Sequence, residues 1–153
     1  ATLSIFIVET NTVNSGNNSG MVSFVASGQS DDFGNNPSFI LATLPGGPGY
    51  RFTSNAFDDQ QPADTFNTPQ TIGWVFDGAN GTGYLNFSAD TPGARTATFG
   101  GTTGLLAFGT RPWNGNTPSF DGTYAEIIIT TSALSSGQRG TLHTCLSTKW
   151  GVP

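Results

Sequence analysis

Two glutamates, one histidine and one cysteine are the groups in this chain best suited to acid, base or nucleophilic chemistry, and their spacing keeps them from acting together. Glycosidic hydrolysis with retention needs two carboxyls about 5 Å apart, a separation that acids at i and i+2 on one strand face supply. Glu9 has no such partner, and Glu126 runs directly into Ile127-Ile128-Ile129. Glu126 therefore reads as a structural group that hydrogen-bonds nearby backbone or a turn. His143 and Cys145 stand two positions apart on a helical pattern, so their side chains point in different directions and make no dyad. A lone cysteine cannot close an intrachain disulfide, and Cys145 falls on the apolar stripe of that helix, where a buried thiol is expected. No catalytic residue is assigned, and the chain is expected not to be an enzyme.

Binding chemistry has one sharper candidate, Arg111-Pro112-Trp113-Asn114-Gly115-Asn116. Sugars stack on aromatic faces and exchange hydrogen bonds with amides, so Trp113, Asn114 and Asn116 form a candidate carbohydrate-binding patch. Trp113 also follows an apolar run, and capping of the core is its competing role. Trp74 reads as core. Asp31-Asp32 and Asp58-Asp59 have the hard oxygen ligands that calcium prefers, though adjacent acids in polar loops are as well served by water. No metal site and no cofactor are assigned.

The elements that must position these groups are mostly strands. Alternation and β-branched or aromatic content place strands near 2–9, 21–27, 38–43, 49–53, 71–77, 83–88, 94–99, 104–109 and 122–131. Ile72, Trp74 and Phe76 alternate with Gly73, Val75 and Asp77, which suits a sandwich packed through one face. In the last strand Ala125, Ile127 and Ile129 oppose Tyr124, Glu126 and Ile128, and both faces are expected to be largely buried. Ser135-Ser136-Gly137-Gln138 has capping-box spacing. Leu142, Cys145, Leu146 and Trp150 then recur at helical steps, Lys149 complements the helix dipole, and Gly151 can end the turn. The stretches Asn11 to Gly20 and Asp58 to Gln70 read as exposed polar loops. No internal repeat and no linker is visible.

At 153 residues the chain suits one domain with a real core. Aromatic residues make up 12% and charged residues only 10%, against roughly 25% charged in ordinary soluble domains. Gly, Asn, Ser and Thr must then supply a neutral exterior. A net charge of −5 with five scattered Lys and Arg argues against nucleic-acid binding, which needs clustered cations. No apolar run approaches the roughly 20 residues of a membrane span, so no membrane partner is expected.

The run Phe120, Gly122, Tyr124 through Ile128, followed by Ala133 to Ser135 and Lys149 to Gly151, resembles the C-terminal end of the concanavalin A-like, laminin-G-like jelly-roll family. There a strand of the form Phe-x-Gly-x-Ile-Ala-Glu-Ile-Ile precedes an Ala-Leu-Ser helix start and a terminal Lys-Trp-Gly. Thr82 to Phe87 is similar to the family's Tyr-x-Asn strand, and Leu105 to Gly109 to its Leu-x-Ile-Gly strand. The match is specific from about 71 to 151 and one of pattern before that. It implies an all-β, two-sheet antiparallel jelly-roll sandwich with one short C-terminal helix at about 136–149. Residues 1–153 would be a single such domain that lacks the family's N-terminal strand segment, with that strand expected from a longer polypeptide of which this chain is part or from another chain.

Related glucanases of this fold carry a Glu-x-Asp-x-(x)-Glu triplet on one strand, and this chain has none. A glucanase-like hydrolase is thus the minor alternative. The charge-poor, Gly/Asn/Thr/Ser-rich version of the fold is similar to domains of tailed-bacteriophage virion proteins. The resemblance implies a virion structural protein, as capsid decoration, head fibre or tail fibre, with a lectin-like domain for assembly or host contact. Its expected partners are other virion proteins, further copies of itself and a cell-surface glycan, and its expected place is the virion surface. The alternative is a secreted, extracellular bacterial carbohydrate-binding module.

Overall fold

Side-chain alternation in the first strand divides two apolar layers. Leu3, Ile5 and Ile7 join one cluster with Met21, Val22, Phe39, Leu41, Ile72, Trp74 and Phe76, while Phe6 and Val8 pack on the opposite side of the sheet under the helix. The first cluster is the interior of a sandwich. The second is the seam between a sheet and its only covering helix among the described residues. The computed structural model describes residues 2–12, 19–29, 38–43, 49–54, 57–62, 65–89, 93–94, 103–112 and 119–153.

The strands are Leu3–Asn11 (β1), Gly20–Ala26 (β2), Phe39–Thr43 (β3), Gly49–Ser54 (β4), Phe57–Pro62 (β5), Gln70–Phe76 (β6), Asn80–Leu85 (β7), Ser88–Ala89 (β8), Gly93–Ala94 (β9), Gly104–Phe108 (β10) and Gly122–Thr130 (β11), followed by the helix Ser136–Trp150 (α1). One sheet has the order β11-β1-β6-β7-β8, with β9 also paired to β7, and the other the order β10-β2-β3-β4-β5. All named pairings are antiparallel. The expected all-β sandwich with one C-terminal helix is the fold observed, and the helix extends one residue beyond the expected 136–149.

Local chemistry explains the helix. The Ser135 hydroxyl accepts the Gln138 backbone N–H at 3.3 Å, and the Gln138 side-chain oxygen accepts the Ser135 N–H at 2.9 Å. Gly151 ends the helix in a left-handed conformation, φ 69°, which glycine adopts without strain. Buried Ser4 ties the strand-to-helix connection to β1, donating its hydroxyl to Ser132 O at 2.8 Å and accepting Leu134 N–H at 3.0 Å.

Four expectations require correction. The stretch Asp58 to Gln70 is not all loop: Phe57–Pro62 is β5, paired with β4 through its backbone, and Gln70 begins β6 and is buried. The last strand is only half-buried, because β11 pairs with β1 alone and forms the edge of its sheet among the described residues. Cys145 is exposed, since the face that α1 buries runs through Leu142, His143 and Leu146. Of the expected strand 94–99 only Ala94, in β9, lies within the described residues.

Candidate functional site

Glu126 lies on the helix-covered side of β11 and fastens the last turn of α1. Its Oε2 accepts the Lys149 ammonium at 2.9 Å and the Trp150 indole N–H at 2.7 Å. The Trp150 bond first, and the Lys149 bond second, hold its carboxyl below the ordinary glutamate range. Lys149 Nζ also sits 4.9 Å from the Trp150 ring centroid. The indole is thereby fixed by groups on both sides of the chain, yet it remains 40% exposed. The structural role expected of Glu126 is the one it has, with side-chain donors rather than backbone as partners.

Beside this ring is a pocket of about 150 Å³ bordered by Pro69, Thr10, Thr123 and Ala125. A bulge shapes it. Val8 pairs with Glu126 and Glu9 with Tyr124, so Ala125 is the extra residue, and Thr10 stands directly opposite Thr123 on the next pair. An aromatic face, a proline and two threonines at one small concavity make a surface able to stack on an apolar ring face and to hydrogen-bond hydroxyl groups.

On the interior side of the same strands, Tyr124, Glu9 and Gln70 stand opposite one another on β11, β1 and β6. Gln70 Nε2 donates to Glu9 Oε1 at 2.8 Å, Thr65 N–H donates to the Gln70 side-chain oxygen at 3.4 Å, and the Tyr124 hydroxyl donates to Met21 O on the facing sheet at 3.2 Å. Burial, and then the neighbouring Glu9 charge, push the Tyr124 phenol far above its ordinary range. The phenol is thus held protonated, as a hydrogen-bond donor between sheets. The phase Leu3, Ile5, Ile7, Glu9 was the available signal that Glu9 is inward-facing; its isolation from other acids left it without a role.

Trp113, Asn114 and Asn116 lie outside the described residues, as do Asp31 and Asp32, while Asp58 and Asp59 lie on β5, whose backbone alone is described. Among the described residues no three His, Cys, Asp or Glu side chains gather as a metal site. No helix there is long and apolar enough to cross a membrane. Trp74 is in the core as expected, 1% exposed. Sequence reasoning placed Trp150 only as the end of a helical stripe; the acid at Glu126 and the Lys-Trp pair were separately visible, but not their contact.

No protein-family model matches this sequence, and no curated protein matches it. Solved structures similar to it include a Trypanosoma rangeli sialidase, with a TM-score of 0.71 at 13% identity over 99% of this chain and 23% of that one. The NanB sialidase of Streptococcus pneumoniae, as a K499G mutant, gives 0.68 at 13% identity over 92% of this chain and 23% of that one. A native heptameric SAP-like pentraxin from Limulus polyphemus gives 0.67 at 13% identity over 94% of this chain and 70% of that one. The chain thus spans about a quarter of the sialidases it matches. At these identities the likeness is one of fold, a two-sheet jelly-roll sandwich.

One expectation is overturned by these neighbours. The exclusion of enzymatic activity rested on a missing carboxylate triplet, yet nearly the whole chain superposes on parts of sialidases, which are enzymes. A missing motif excludes one chemistry only, and the fold itself occurs within enzyme polypeptides.

Proposed function

We propose that this chain is a lectin-like module that binds a neutral saccharide on the Trp150 shelf. The observation that carries the reading is the fixed, 40% exposed indole beside the pocket between Thr10 and Thr123. The C–H face of a pyranose stacks on such a ring, and threonine hydroxyls both donate and accept toward sugar hydroxyls. Because Glu126 already fixes the indole, little side-chain freedom is left to lose on binding. Likeness in fold to a pentraxin over most of both chains supports the lectin-like class.

Titration with neutral oligosaccharides, read by calorimetry and indole fluorescence, tests it. Trp150→Ala abolishes binding while far-UV circular dichroism stays unchanged, and Trp113→Ala reports whether Trp113, Asn114 and Asn116 contribute to saccharide binding as the sequence suggests. Saturable binding that survives Trp150→Ala overturns the shelf.

The setting we propose is the surface of a bacteriophage particle, as a decoration or fibre domain that touches the host. The charge-poor composition and the resemblance of residues 71–151 support it. A bacterial carbohydrate-binding module is the alternative. Electron cryomicroscopy of purified source particles decides: density for this sandwich on the particle supports the virion setting, and particles complete without it refute it.

A further inference from the structure

The concavity beside Trp150 is small and its walls are fixed. At about 150 Å³ it falls well below the roughly 300–1,000 Å³ of sites that enclose drug-sized ligands. Val8, Thr10, Pro69, Thr123 and the indole all border it. Val8 is buried against Leu146 and Val152, so that part of the lining does not yield. Trp150 and Pro69 are held from the strands on either side of β1. On one side Glu126, which pairs with Val8, accepts the indole N–H at 2.7 Å. On the other, Pro69 directly precedes Gln70, which pairs with Glu9 in the ladder and donates its side-chain amide to the Glu9 carboxylate at 2.8 Å. The φ angle of Pro69 is locked by its own ring as well.

Lys149 limits the stacking surface. Its ammonium stands over the indole, 4.9 Å from the ring centroid, yet Lys149 does not border the pocket. The indole face that the cation covers is therefore not the one turned to the pocket, and one face is left for stacking. A saccharide unit inside a chain carries a linkage at each end, and its two neighbours need room beyond both walls. A terminal unit carries one linkage and needs room on one side only. We infer that the Trp150 shelf takes a single terminal pyranose ring, the non-reducing end of a neutral glycan, and does not take the interior of a polysaccharide chain. The inference rests on the saccharide reading of this site and adds which part of a glycan enters it. Widening the pocket for a second ring means breaking the bond from Trp150 to Glu126 or the bond from Gln70 to Glu9, a cost that a ligand of one ring does not meet.

Calorimetric titration of the full chain with a size series tests this. The probes are the methyl pyranosides of glucose, galactose, mannose and N-acetylglucosamine, then the linear di-, tri- and tetrasaccharides that end in each. The expected result is that one methyl pyranoside binds, with an affinity within about threefold of the tetrasaccharide that ends in it. Adding a further, different sugar to that end lowers the affinity by about tenfold or more. Thr123→Val keeps the shape of an exposed strand residue and removes its hydroxyl, and it weakens binding of the methyl pyranoside by about tenfold with unchanged circular dichroism. Affinity that climbs by about tenfold or more from monosaccharide to tetrasaccharide, and is lost in Trp150→Ala, overturns the single-ring inference and leaves the shelf standing. A Thr123→Val protein that binds as tightly as wild type overturns the seating of the ring in this pocket. Absence of binding by every member of the series overturns the saccharide reading itself, and the inference with it.

Discussion

Phe87 stacks on His143 of α1 with ring centroids 4.8 Å apart, and on Phe6 of β1 at 5.0 Å with planes 7° apart. This three-ring stack joins helix, hairpin and sheet. It also holds Phe87 in a left-handed backbone conformation, φ 60°, next to Asn86 at φ 48°, the pair forming the two-residue turn between β7 and β8. Asparagine tolerates that region, and here Asn86 also accepts the Thr71 N–H at 2.8 Å through its side chain. Phenylalanine does not favour it, so packing must offset roughly 1 kcal/mol of strain. Phe87→Ala keeps the strain and loses the stack, at a cost of about 2–3 kcal/mol for a half-buried ring. Phe87→Gly loses the stack but removes the strain, and comes out about 1 kcal/mol more stable than the alanine variant. Urea unfolding of the three proteins gives the order; alanine equal to or better than glycine refutes the strain.

Gly73 stands opposite Phe6 in the ladder, and the Phe6 ring lies across the space a side chain would occupy. A methyl group at position 73 overlaps that ring, and in a strand flanked on both sides the backbone has little room to yield. Gly73→Ala is therefore expected to destabilise by about 1–3 kcal/mol, the range for overpacking, although alanine is the better strand residue on propensity alone. The check is a chemical denaturation midpoint. A neutral or stabilising result means that Phe6 has another rotamer at low cost.

The exposed face of α1 can be read by thiol chemistry. Cys145 is expected to react with a water-soluble thiol reagent in the native state at a rate close to that of the unfolded chain, whereas Leu146→Ala, one residue on, costs about 2–5 kcal/mol because that side chain is 1% exposed. Protection of the thiol in the folded protein would return Cys145 to the apolar stripe.

What was legible in the sequence is what local chemistry decides. The serine and glutamine at 135 and 138, the glycine at 151 and the alternation around Trp74 each specify their own conformation, and the structure follows them. Phe57–Pro62 was illegible because its sequence, with two acids, two glutamines and a proline, has no apolar alternation; it is a strand because β4 lies beside it. The half-exposure of β11 was hidden for a related reason, since burial of a strand face depends on whether a further strand flanks it. Helical steps of three and four admit either Cys145 or His143 beside Leu142 and Leu146, and only the position of Phe87 selects histidine. The Trp150 shelf depends on a contact across 24 positions, with Glu126.

That contact should make the helix-to-sheet seam sensitive to acid. The Glu126 carboxyl is held below its ordinary value of 4.5 by Trp150 and Lys149, so its contribution to stability is present above that pH and is lost as the pH falls through the lower, folded-state value. Between roughly pH 5 and pH 2 the protein should therefore lose more stability than a Glu126→Gln variant, whose amide keeps an acceptor for the Trp150 N–H but does not titrate. Lys149→Met is expected to matter little, about 0–1 kcal/mol, because its ammonium is half-exposed and screened. Thermal unfolding of the three proteins across that range is the measurement, with Trp150 fluorescence reporting the seam. Parallel pH profiles for wild type and Glu126→Gln would show that the indole N–H, and not the charge, is what the carboxylate serves.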